Sequence, residues 1–188
     1  MLEWTHRKIQ NKSQGFSSLA DAYDDLLYDY KDDSDVSYEG IIQPHEMKSE
    51  LMPMLEVLGL QNVDLQLCSF VLLDNDLLRA NYEKYRNNIP VFLRLIGENC
   101  QEECQKAGMS EKMIARMGQG LCPENYTPHL KLPIEFGGMA NLSNFSLVKT
   151  HPIHDNLHQI FDVQLENGFA FMQRKIFVPV FEGNIYYG

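Results

Sequence analysis

The chain lacks a hydrophobic run long enough to span a membrane. A crossing helix needs roughly 18 consecutive apolar residues, and nothing in the 188-residue sequence comes near that. The opening stretch, MLEWTHRKIQNKSQG, also lacks the apolar core of a secretory signal. The expectation is a chain that is cytoplasmic as synthesised, with any delivery by a route independent of such a signal. Cysteine is scarce too. Four cysteines in a chain of this length do not make a disulfide scaffold. Cys100 and Cys104 share a helical stripe with Leu93, Ile96 and Gly97 and read as buried free thiols. Cys68 and Cys122 are isolated, so the second close pair of a zinc site is missing. Internal repeats and low-complexity segments are absent.

Basic charge is in short supply. Sixteen Lys and Arg face 26 Asp and Glu, for a net charge of −10. That balance argues against nucleic-acid binding over the whole surface, because phosphate binding is driven by Lys and Arg. The deficit is uneven. Residues 1–108 hold 10 basic and 19 acidic side chains, a net of −9, and residues 109–188 hold 6 and 7, a net of −1. The second part also carries four of the six histidines.

What is present is a globular composition, 44% hydrophobic and 22% charged. The first part reads as helical. Leu19, Tyr23, Leu26, Leu27 and Tyr30 recur at helical spacing behind a capping-box pattern at Ser18 and Asp21. Met47, Leu51, Met54, Leu55 and Leu58 form a second stripe, closed by Gly59, with Pro53 expected to kink or split it. A third helix is predicted from about Asp76. Pro90 is predicted to open a fourth that stops at Gly108. A short helix after Ser110 ends among Gly118 and Gly120.

The pattern then changes. Pro123, Pro128 and Pro133 punctuate the chain and Gly137-Gly138 marks a sharp turn. Phe145, Leu147 and Val148 read as a strand. Pro152 suits the first residue of a helix carrying Ile153, Leu157, Ile160 and Phe161, closed by Gly168. KIFVPVFEGNIYY reads as a C-terminal hairpin or two edge strands. The expected fold class is α+β, with an acidic helical region over 1–108 and a mixed module over 109–188.

The histidines are the residues best suited to chemistry. His154 and His158 are four apart on a predicted helix, which stacks both imidazoles on one face where they can share an ion. His129 falls at the end of a predicted strand and Asn144 just before the next. A metal-dependent phosphodiesterase needs such parts: neutral imidazoles for a divalent ion, a base for water, and a polar group to orient it.

The segment YTPHLKLPIEFGGMANLSNFSLVKTHPIHDNLH, with its pattern His129-x14-Asn144-x9-His154-x3-His158, resembles the ββα-metal motif of HNH nucleases. Within that superfamily it is most similar to the colicin-like and polymorphic-toxin nucleases, over roughly residues 123–165. The resemblance implies a DNA endonuclease, with RNA as another substrate. His129 would be the general base, and Asn144 would orient its ring or hold the loop between the strands. His154 and His158 would ligate a divalent Mg, Mn, Ni or Zn ion. Lys131 and Lys149 would touch flanking phosphates, although solvated surface lysines are the plainer reading. It further implies a bacterial toxin or effector with a cognate inhibitor or immunity protein. One departure stands out. Pro128 occupies the position where many relatives carry a third ligand, and His151 is a substitute for it. A site of two histidines and water would suit a weakly held ion of the Mg type.

Two other readings stay open. Residues 35–46 loosely follow an EF-hand loop, with Asp35, Ser37, Glu39, Gly40, Ile42 and Glu46 at the ligand and turn positions. Glu at the fifth position, Pro44 and the want of a partner loop weigh against calcium there. The alternative function is a catalytically degenerate HNH-like or EF-hand-like module that binds a protein through its acidic surface.

Overall fold

A computed structural model describes residues 42–188. The first predicted helix (Leu19 to Tyr30, with Ser18 and Asp21) and the loop positions Asp35, Ser37, Glu39 and Gly40 lie outside the described residues. The fold is α+β, as its sequence pattern predicts. Among the described residues, no helix is long and apolar enough to cross a membrane.

Helix α1 (Pro44–Val57) starts with Pro at its first position, where no backbone N–H is missed. The Glu46 carboxylate accepts from Gln43 N at 2.7 Å. It therefore closes a helix cap, the work of a first-turn acid. Met47, Leu51 and Leu55 are buried, and Pro53 leaves the helix in one piece. Strand β1 (Asp64–Ser69) follows, then the long helix α2 (Asn75–Asn99). Asp74 caps α2, its Oδ1 accepting from Asp76 N at 3.1 Å and Leu77 N at 2.9 Å. The helix continues unbroken past Pro90, so the predicted break there is corrected. Pro90 forfeits one backbone bond, but the turns on both sides bury one continuous apolar face with Tyr82, Tyr85, Phe92, Leu93 and Ile96. The break comes at Cys100 instead, followed by the short α3 (Gln101–Lys106) and by α4 (Glu111–Gly118).

Strands β2 (Tyr126–Leu130) and β3 (Phe145–Lys149) pair antiparallel, with His129 opposite Ser146. The connection folds as two tight turns, Ile134–Phe136 and Leu142–Asn144. Gly138 is required there, because a Cβ on it would stand 1.9 Å from Leu132 O. After β3 the chain makes a wide turn over Thr150–His154 and enters α5 (Asp155–Glu166). Regular helix thus begins after Pro152 rather than at it. His154 already has helical backbone angles (φ −59°, ψ −45°), so its spacing to His158 keeps the helical meaning.

Short α6 (Phe169–Gln173) leads into β4 (Lys175–Val180), and β5 (Ile185–Tyr186) ends the fold. Of the two C-terminal alternatives the hairpin is corrected and the pair of edge strands is what forms: β4 pairs antiparallel with β1, and β5 pairs parallel with β3, each at the edge of its sheet. The link between them is held elsewhere, by Asn184 N to Glu103 Oε2 at 2.8 Å and Leu147 N to Asn184 O at 2.8 Å. The division expected at residue 108 is also corrected. Residues 42–188 form one compact unit. Leu65 shares a core with Phe177, and Phe92 shares another with Phe145.

Candidate metal centre

Each element contributes to the site for a local reason. Strand β2 is buried along most of its length, and the pairing of Pro128 with Leu147 and His129 with Ser146 fixes its register. Tyr85 of α2 donates from its hydroxyl to Pro128 O at 2.9 Å, which pins the backbone next to His129. On the same face of α2, Asn88 donates to Ala140 O at 2.8 Å, and the Tyr82 hydroxyl donates to the Glu135 carboxylate. Three polar side chains at three-residue intervals therefore hold strand β2 and the β2–β3 connection against one helix face. Leu157, Ile160 and Phe161 bury the other side of α5, which presents His158 to the strands.

The result is a cluster of three imidazoles. Ring centroids lie 5.3 Å apart for His129 and His154, 5.5 Å for His129 and His158, and 4.6 Å for His154 and His158. One ligand nitrogen from each lies within 4.8 Å of the others. His154 Nε2 and His158 Nε2 are 3.3 Å apart. Two nitrogens bound to one tetrahedral ion at 2.0–2.1 Å stand about 3.3 Å apart, so the two rings already have the spacing of co-ligands. The sequence pairs only His154 with His158; the strand register brings in His129 as a third.

The electrostatics favour neutral rings. Burial, followed by the neighbouring His158 and His154, pushes the His129 imidazole down to about 3. Burial is the first cause of the downward shifts at His154 and His158 as well, and Asp155 opposes both. A metal ligand must offer an unprotonated nitrogen, so these shifts remove the proton's competition at neutral pH. The donor set and spacing fit a divalent ion. Among the described residues, this is the group of His, Cys, Asp and Glu side chains that could hold one.

The other anticipated residues fall differently. Asn144 accepts from Leu132 N at 2.9 Å and donates to Leu132 O at 2.8 Å and Met139 O at 3.0 Å. Those bonds hold the loop, the second of its two expected roles. Lys131 follows the end of β2 opposite Phe145, and Lys149 ends β3 at the far side of the hairpin. Lys149 pairs with Tyr126, five strand positions before Lys131, so the two levels lie about 17 Å apart along the strands and do not converge. His151 stands outside the three-ring cluster, with its Nδ1 2.6 Å from Asp155 Oδ2. The other Asp155 oxygen lies 3.9 Å from His154 Nδ1. The sequence reading passed over Asp155 and Tyr85. Asp155 had a signal, since it follows one histidine directly and stands four residues after another. Tyr85 had none, because its partner is 43 residues away.

The four thiols are free. Burial first, with Cys100 and Glu103 adding to it, pushes Cys104 up to about 11. That is the behaviour of an inert core thiol. No protein-family model, curated protein or solved structure matches the chain.

Proposed function

We propose that the protein is a metal-dependent endonuclease of the HNH type that hydrolyses DNA phosphodiester bonds, with RNA as the second substrate to test. The convergence of His129, His154 and His158 supports this reading. In it all three histidines hold one divalent ion. His129 takes a ligand's role in place of the base role its motif suggests, because its ring is only 5% exposed and faces both partners. It also takes over from the missing ligand at Pro128. Three imidazole nitrogens favour a transition ion such as Zn or Ni, or Mn, over Mg, which prefers oxygen. Once bound, the ion supplies Lewis-acid stabilisation of charge on the scissile phosphate and its leaving oxygen.

The chain's own groups do the rest. His129 closes the floor of the site from within the core, and His154 and His158 form its rim on α5. Asn144 and Tyr85 keep the strand and loop in register beneath them. Lys149, exposed at the end of β3, is available to a flanking phosphate. A toxin or effector role, with a dedicated inhibitor protein, is the biological setting that the motif suggests.

The test is plasmid and RNA cleavage with Zn²⁺, Ni²⁺, Mn²⁺ and Mg²⁺, comparing wild type with His129→Ala and His158→Ala. Metal-dependent nicking lost in both variants is the expected result. A folded, metal-loaded wild type that cleaves neither substrate would favour the degenerate binding module instead.

A further inference from the structure

A fourth imidazole stands beside the cluster in a different environment. His151 sits in the wide turn between β3 and α5 with an extended backbone (φ −130°, ψ 140°), off the helical ladder that stacks His154 on His158. Its side chain is 77% exposed, whereas His129 is 5% exposed. The carboxylate of Asp155 accepts from His151 Nδ1 at 2.6 Å. A ring that donates from Nδ1 leaves Nε2 as the lone-pair nitrogen, free to accept a proton. The same carboxylate reaches toward His154 Nδ1 at 3.9 Å, so one side chain ties the exposed imidazole to the rim of the cluster.

We infer that His151 is the proton acceptor of the hydrolysis, with Asp155 as the positioning residue that fixes its tautomer. This rests on the nuclease reading above. With His129, His154 and His158 turned toward one another, the reaction needs a separate base that water can reach. In the step, the attacking water forms its bond to phosphorus and gives its proton to His151 Nε2. The bond from phosphorus to the 3′-oxygen breaks, and that oxygen takes a proton from solvent. The imidazolium left on His151 is stabilised by the Asp155 carboxylate, and His151 returns its proton to solvent.

The experiment uses the full chain, with Zn²⁺ and Mn²⁺ as probes, and follows metal affinity by calorimetry alongside plasmid nicking. His151→Ala is expected to bind metal within about threefold of wild type. It should nick at least about 100-fold more slowly, the loss typical of a missing general base. Added imidazole should restore part of the rate. Asp155→Asn should fall between the two. Nicking by His151→Ala within threefold of wild type would overturn the inference and leave the nuclease reading standing. Metal affinity lost in step with nicking would make His151 a ligand, which also overturns it. A wild type that binds metal and cuts neither DNA nor RNA would remove the nuclease reading, and this inference with it.

Discussion

At the scale of single residues, buried polar groups carry most of the information. His129 is held neutral inside the core, its imidazole pushed down to about 3 from an ordinary 6.5. Between those values the unfolded chain binds the extra proton. Its contribution to stability is therefore full above pH 6.5 and is lost as pH falls toward 3. One proton corresponds to a slope of at most about 1.4 kcal/mol per pH unit. The metal-free His129→Gln protein should show a flatter dependence of unfolding free energy on pH between 4 and 6. Denaturant titrations at several pH values would reveal it, and parallel curves for the two proteins would refute it. Glu135 presents the opposite case: burial raises its carboxyl above the usual range, and the Tyr82 hydroxyl is its donor. Removing that donor by Tyr82→Phe should cost about 1–3 kcal/mol. The loss should show as a lower unfolding midpoint with an unchanged denaturant slope.

At the scale of elements, the outcome depends on whether a signal is local. The His154–His158 pair was legible because helix spacing alone sets it. The β3 strand and the Gly137-Gly138 turn were legible for the same kind of reason. Gly137 has φ +93°, and a Cβ on it would stand 2.8 Å from Val71 O. Strand β1 was not legible, since its six residues pair with a strand more than a hundred residues later. Pro90 misled because tertiary packing along α2 outweighs the one lost backbone bond. Helix α2 crosses α4 at Gly97, where an added Cβ would meet Gly118 N at 2.6 Å and Ile114 O at 3.0 Å. Those are backbone atoms that cannot swing aside. Gly97→Ala should therefore destabilise the fold by about 2 kcal/mol or more, despite alanine's better helix propensity. A thermal melt at or above the wild-type temperature would contradict the crossing.

At the scale of the whole molecule, the candidate site joins parts that the sequence keeps far apart. Helix α2 braces β2 and its loop, β2 delivers His129, and α5 delivers His154 and His158. The sequence divides this unit near residue 108 because charge and helix content change there, while the cores run across that point. Loading the site with an ion should stabilise all of residues 42–188 together. An ion at 100 times its dissociation constant adds about 2.7 kcal/mol, so the melting temperature should rise with metal and return with chelator.

The most direct test of the three-histidine centre is a titration of the metal-free chain with Co²⁺, followed by its visible absorption. The account predicts saturation at one ion per chain, with bands of a nitrogen-ligated, low-symmetry ion. Affinity should fall at least about tenfold in each of His129→Ala, His154→Ala and His158→Ala. A folded wild type that stays colourless, or a His129→Ala variant that binds Co²⁺ as tightly as wild type, would contradict it.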